Sequence, residues 1–209
     1  MAAPTRDSRS SLALFAFTGF LLLAAPFAGA TTLFTSLPAD PGGGETYTVS
    51  ALSQFGMQFS PTVSGPATGV DVSFDFNSGS TAIVDATLYT DNAGLPGTSL
   101  GSATLDVSGV GNNSTPDVIT GEFATPPSLT VGDNYWLGLS TPSGDIGVVD
   151  SAASSNDTQA FTSSDVWSSF GARQIGGFQV DSTPEPGGLA MLGAGACTAL
   201  TILRRRARR

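Results

Sequence analysis

The chain has no histidine, no lysine and one cysteine in 209 residues. Each absence removes a class of chemistry. Without histidine there is no Ser-His-Asp or Cys-His nucleophile activation, no histidine-ligated zinc and no imidazole acid–base step. The lone Cys197 can close no disulfide within the chain, so stability has to come from packing. Between residues 31 and 182, 15 Asp and Glu stand against a single cation, Arg173. Phosphate-backbone binding needs clustered Lys and Arg, so nucleic acid is excluded as a partner. An acidic exterior suits solubility and divalent cations better than contact with anionic polymers. A sustained apolar 3.6-residue period is also missing from 31–182, which argues against helices there.

What is present is most distinctive at the two ends. Residues 183–209 read TPEPGGLAMLGAGACTALTILRRRARR. They combine a Pro-Glu-Pro knot (Pro184, Glu185, Pro186), an uncharged run of 17 residues from Gly187 to Leu203, and a cationic tail of Arg204, Arg205, Arg206, Arg208 and Arg209. At about 1.5 Å rise per residue the run covers roughly 25 Å, close to the lower limit for crossing a bilayer. Cationic residues beside a short apolar segment stay cytoplasmic, so the arginines act as a stop-transfer cluster and 31–182 is placed outside the cytoplasm. Cys197 falls within the run as a small polarizable residue. At the other end, Arg6 and Arg9 precede an apolar stretch of 14 residues from Leu12 to Ala25, and Pro26 breaks it. Ala28-Gly29-Ala30 then supplies small residues for a signal peptidase, and 1–30 is predicted to be a secretory signal cleaved after Ala30.

The order of Pro184-Glu185-Pro186, apolar run and terminal arginines resembles the PEP-CTERM sorting signal. That resemblance implies recognition and cleavage near the motif by an exosortase, a membrane transpeptidase, in bacteria that make exopolysaccharide. Thr183 and Gly187 stand where the family usually has Val before and Ser or Thr after the motif. Gly187-Gly188 is also similar to the GlyGly-CTERM signal, served by a rhomboid-type protease. Proline cannot sit inside a helix, so the knot stays extended and open to a protease at the membrane face.

The interior, 31–182, is long enough for one domain with its own core. Short alternating apolar runs recur between Gly, Pro, Asn, Asp and Ser, which predicts an all-β, antiparallel sandwich or jelly-roll-like domain. Expected strands are Thr46–Ser50, Gln54–Ser60 with Phe55, Met57 and Phe59 on one face, and a run with Val70, Val72, Phe74 and Phe76 inward. Ile83–Thr90, Ser99–Val107, Val118–Ala124, Leu129–Val131, Tyr135–Leu139, Ile146–Val149, Ala160–Phe161, Val166–Ser168 and Ile175–Val180 follow. Asp91 to Gly97, with two glycines and a proline, reads as a turn. Leu88-Tyr89-Thr90-Asp91-Asn92-Ala93-Gly94-Leu95-Pro96-Gly97-Thr98, with Asn134-Tyr135-Trp136-Leu137-Gly138-Leu139, is similar to the choice-of-anchor domains of exported bacterial proteins, type R in particular. The resemblance implies a β-sandwich and brings no catalytic residues.

Asp71, Asp75 and Asp85 are the carboxylates to weigh as a glycosidase pair, which needs roughly 5 to 9.5 Å between carboxyl groups. Asp91 and Asn92 offer oxygen ligands for calcium, without any known loop spacing. Trp136, Trp167, Tyr47, Tyr89 and Tyr135 could include a sugar-stacking platform, with Trp167 the surface candidate. Tyr135 and Trp136 point to opposite sides of one strand, which leaves one of them for solvent. Leu95-Pro96-Gly97-Thr98 lacks the final glycine of a sortase signal, because Ser99 follows. Asn113-Ser114-Thr115 and Asn156-Asp157-Thr158 match a glycosylation pattern that a bacterial sorting tail makes incidental. The expectation is a non-enzymatic structural or adhesive envelope protein with no cofactor, handled by signal peptidase and exosortase at the inner membrane and associated with extracellular polysaccharide. A carbohydrate-binding module is the alternative, and a glycan-active enzyme the third reading.

Overall fold

The computed structural model describes residues 30–37, 46–75, 83–111, 116–150, 157–163, 166–173 and 175–183. Ala30–Thr183 form one compact unit. The described residues are all-β, with strands β1 (Thr31–Thr35), β2 (Thr46–Ser50), β3 (Phe55–Phe59), β4 (Gly65–Pro66), β5 (Gly69–Asp75), β6 (Ile83–Asp91) and β7 (Pro96–Asp106). They continue as β8 (Asp117–Glu122), β9 (Ser128–Leu129), β10 (Tyr135–Ser140), β11 (Asp145–Val149), β12 (Asp157–Ser163), β13 (Val166–Arg173) and β14 (Phe178–Ser182).

Two six-stranded antiparallel sheets result. One has the order β13-β12-β3-β10-β6-β7. In the other, β8 takes one edge of β5 from Gly69 to Phe74. The opposite edge of β5 is divided between β14, over Gly69–Val72, and β11, over Phe74–Asp75. β1 then pairs with β14 and β2 with β11. The short strands β4 and β9 pair separately.

Alternation explains which faces meet. Val70, Val72 and Phe74 of β5 turn inward, as do Phe55, Met57 and Phe59 of β3, Val84, Ala86 and Leu88 of β6, and Ala103 and Leu105 of β7. Each buried Val, Leu, Phe or Met side chain here contributes about 1.5–3 kcal/mol, the alanines less, and together they form one core between the two sheets. Aromatic contacts cross it: Phe34 lies 5.1 Å from Phe59, Phe59 meets Phe178 edge-on at 5.6 Å, and Tyr47 stacks on Phe55 at 4.7 Å.

Several boundaries differ from expectation. β1 was not foreseen; a register shift between Thr32 and Phe34 lets both Leu33 and Phe34 pack inward, which erases the alternation. The strand expected at Leu129–Val131 stops at Leu129, and Val131 is exposed. β13 runs on to Arg173, five residues past Ser168. β14 starts at Phe178 rather than Ile175, because Gly176 makes only an isolated bridge to Asp150. There the backbone passes very close to its neighbours: a Cβ on Gly176 would lie 2.6 Å from Val148 Cγ1 and 2.9 Å from Met57 Sδ. Phe76 and Asn113–Thr115 lie outside the described residues, as do Ala28, Pro184, Glu185, Pro186, Cys197 and the arginines from 204 onward.

Gly176→Ala is therefore expected to lower the stability of the domain by about 1–3 kcal/mol through overpacking. Gly109→Ala, where the added methyl meets nothing within 4 Å, should stay within about 0.5 kcal/mol of wild type. Urea midpoints of the two variants make the comparison; equal midpoints would contradict the close approach.

Candidate functional site

The outer face of the β13–β7 sheet is where the sequence concentrates unusual residues. With Phe55, Met57 and Phe59 inward, β3 turns Gly56 and Gln58 outward; with Tyr135, Leu137 and Leu139 inward, β10 turns Trp136, Gly138 and Ser140 outward. By the same alternation β6 presents Asp85, Thr87 and Tyr89. Gly56 and Gly138 are directly opposed across β3 and β10. Two neighbouring positions without side chains leave a shallow slot, and two aromatic rings settle into it.

One ring is Trp167, reaching in from the edge strand β13. Its Cζ3 lies 3.0 Å from where a Cβ on Gly56 would stand, and its Cη2 3.5 Å from the same place on Gly138. The other is Tyr89, whose Cε2 comes within 2.7 Å of that place on Gly138. The rings meet nearly perpendicular, at 73° and 5.9 Å between centroids, a favoured aromatic geometry. Both stay half-buried. Burial pushes the Tyr89 phenol above its ordinary pKa, partly offset by a hydrogen bond with Thr87.

The β6–β7 hairpin closes over the same face. Asn92 and Leu95 exchange backbone hydrogen bonds of 2.8 and 3.3 Å around Ala93 and Gly94, both at positive φ (54° and 83°). This primed turn matches the twist of its strands. Pro96, at the start of β7, has its Cγ 3.5 Å from the Cβ place on Gly56. Since β7 is three strands from β3, roughly 14 Å at ~4.8 Å spacing, the hairpin tip has to bend back across the face. A carboxylate holds it there. Asp91 Oδ1 accepts from Trp136 Nε1 at 2.7 Å and from Gln58 Nε2 at 2.8 Å, and Oδ2 accepts from the Gly94 amide at 3.2 Å. Burial raises the Asp91 pKa, but the hydrogen bonds from Trp136, Gly94 and Gln58 outweigh it and hold the carboxyl below the usual range.

This corrects one expectation and redirects others. Tyr135 and Trp136 do point to opposite sides, yet both are buried, at 7% and 0% exposure. Tyr135 enters the core and accepts a hydrogen bond from the Thr130 amide; Trp136 is roofed by the hairpin. Tyr47 also packs inward, so the aromatic candidates that share the outer face are Tyr89, Trp136 and Trp167. Asp91, weighed as a calcium ligand, spends its oxygens on three N–H donors. Among the described residues, no group of three or more Cys, Asp or Glu is arranged to hold a metal. Asp71 and Asp75 stand on the outer face of the other sheet from Asp85 and, four residues apart on one strand, are about 13 Å from each other. At that backbone spacing, and divided between two sheets, the three do not converge on one site.

Ala30 is exposed immediately before β1. The other processing and sorting residues named from sequence lie outside the described residues. The clamp residue Gln58 drew no attention in the sequence, because nothing local ties an amide on β3 to a carboxylate 33 residues later. The two quoted segments, 88–98 and 134–139, are adjacent in space: Thr90 pairs with Tyr135 and Tyr89 with Trp136. No protein-family model matches the chain, and no curated protein matches it.

Removing the clamp carboxylate with Asp91→Ala is expected to cost about 2–3 kcal/mol, since it strands the buried Trp136 N–H. Trp136→Phe should cost less in that background than in wild type, so a double-mutant cycle in urea should give a coupling of at least about 0.5 kcal/mol. The pH dependence follows from the depressed carboxyl. Its contribution is fully present above the unfolded pKa near ~3.9 and is lost as pH falls through the lower folded value. Asp91→Asn should flatten this acid limb in melts between pH 5 and pH 2. An unchanged limb would remove the carboxylate from the account.

Proposed function

We propose that the chain is an exported bacterial envelope protein, threaded temporarily through the inner membrane, processed near Pro184-Glu185-Pro186 by an exosortase, and displayed or released as a β-sandwich. Its role is non-enzymatic, as a structural or adhesive component of an exopolysaccharide-containing matrix. The three-part order of the last 27 residues carries this reading: motif, apolar run, arginine cluster. Residues 1–30 act as a cleaved signal peptide and Gly187–Leu203 as a transmembrane helix before processing.

Two features of the domain support it. Thr31 is paired with Ser182, the first residue of β1 against the last of β14. A chain trimmed after Ala30 therefore begins on a strand already locked into the sheet. Thr183, the residue before the motif, is still held by the fold, its amide donating to Thr68 Oγ1 at 2.7 Å. A protease at Pro184-Glu185-Pro186 would meet a folded domain on one side and the apolar run on the other. The carbohydrate-binding alternative is favoured by one observation, the convergence of the half-buried Tyr89 and Trp167 on one outer sheet face.

Intact-mass analysis of the mature protein from its native host tests the reading. The expected species begins at Thr31 and ends near residue 184. A chain extending through Arg209 would mean a permanent anchor and would overturn exosortase handling.

A further inference from the structure

The outer face of the β13–β7 sheet has a composition that the clamp alone does not require. Trp167 rests its six-membered ring on the Gly56–Gly138 slot, and Tyr89 stands edge-on beside it. Both rings are half-buried, so each keeps part of its surface in water. Beyond Tyr89 the outward positions are Thr87, Asp85 and Ser140, with Thr104 on the neighbouring strand. Asp85 Oδ1 already orients one of these hydroxyls, accepting from Thr104 Oγ1 at 3.2 Å. An apolar ring surface thus borders a strip of short oxygen-bearing side chains.

We infer that this strip is a binding site for an uncharged polysaccharide, with Trp167 as the stacking ring and Thr87, Asp85 and Ser140 meeting the hydroxyls. A pyranose ring has an apolar C–H face and polar edges, so it fits a surface that changes from aromatic to hydroxyl within one sugar length. The charge balance selects among polymers. Arg173, the only cation between residues 31 and 182, lies over the Phe170 ring at 5.4 Å, and Asp85 and Asp91 belong to the face itself. A uronate or sulfated chain would meet carboxylates with no counter-charge. The sheet edges converge on the slot from both sides, Trp167 from β13 and Pro96 from β7, so the platform is held from two directions. The inference deepens the matrix reading by naming what the domain would hold, and it rests on that reading for its setting.

Affinity electrophoresis of the full chain in gels containing a mixed-linkage β-glucan, a galactomannan, a xylan or alginate tests it. Retardation by at least one neutral polymer is expected, with none by alginate. Trp167→Ala should weaken it by roughly tenfold or more, with a far-ultraviolet spectrum like that of wild type. If that variant does not fold, acrylamide quenching of wild-type fluorescence replaces it. Trp136 is fully shielded, so quenchable emission comes from Trp167, and a bound polymer has to reduce its quenching. No retardation by any neutral polymer, equal retardation by alginate, full binding by a folded Trp167→Ala, or unchanged quenching would each overturn the site. A correctly trimmed protein that binds no polymer sinks this inference alone; a binding protein with its tail intact sinks only the sorting proposal.

Discussion

Any side chain beyond a hydrogen at residue 138 would collide with the ring of Tyr89, and one at residue 56 would press on Trp167. That steric constraint shapes the sheet's outer surface. Two opposed glycines at the centre of a six-stranded sheet are costly in strand propensity, by up to about 1 kcal/mol each. The cost is offset by what the slot admits: one ring from the β13 edge, one from β6, and Pro96 from the start of β7. The sheet therefore curls over its own exterior and forms a small second apolar cluster, separate from the core between the sheets. Asp91 completes it, a single carboxylate that joins a turn amide, an indole and a glutamine from three different parts of the chain.

The same arrangement connects stability to function. A domain with one basic residue and no cysteine has neither ion-pair networks nor disulfides to fall back on, and it leads an exposed life if exported. Its stability comes from one core of alternating strands and from the clamp on the far face. The clamp in turn holds the surface where aromatic rings and hydroxyls adjoin. The first and last strands, β1 and β14, pair in the opposite sheet, with Thr31 against Ser182, so they belong to a different layer from the surface proposed to bind polysaccharide.

Much of the fold could be read from residue spacing. Strands with strict alternation, such as Val70-Asp71-Val72-Ser73-Phe74 and Ile83 to Thr90, were foreseen with the correct faces, because period two has one interpretation when one side is buried. Reading failed where alternation broke. β1 has adjacent inward residues across a register shift, and the end of the chain's domain is interrupted by the close approach at Gly176. The fate of Trp136 was not legible either. Alternation says which side of the strand it takes, but its burial depends on a hairpin anchored 45 residues earlier. Trp167, chosen from its polar neighbours, does lie on the outer face, though pressed against a glycine pair that local sequence does not disclose. The functional reading depends on the terminal segments, where motif order rather than packing carries the information.

The clamp and slot make opposite demands on the two tryptophans, and the chain has only two. Hydrogen exchange of the two indole N–H protons, followed by NMR, therefore tests the arrangement directly. The Trp136 proton, buried and bonded to Asp91, should exchange slowly, shift as the carboxyl titrates at acid pH, and lose its protection in Asp91→Ala, while the second indole proton exchanges faster throughout. Two indoles with the same fast exchange and no acid-dependent shift would contradict the hairpin clamp and the surface built on it.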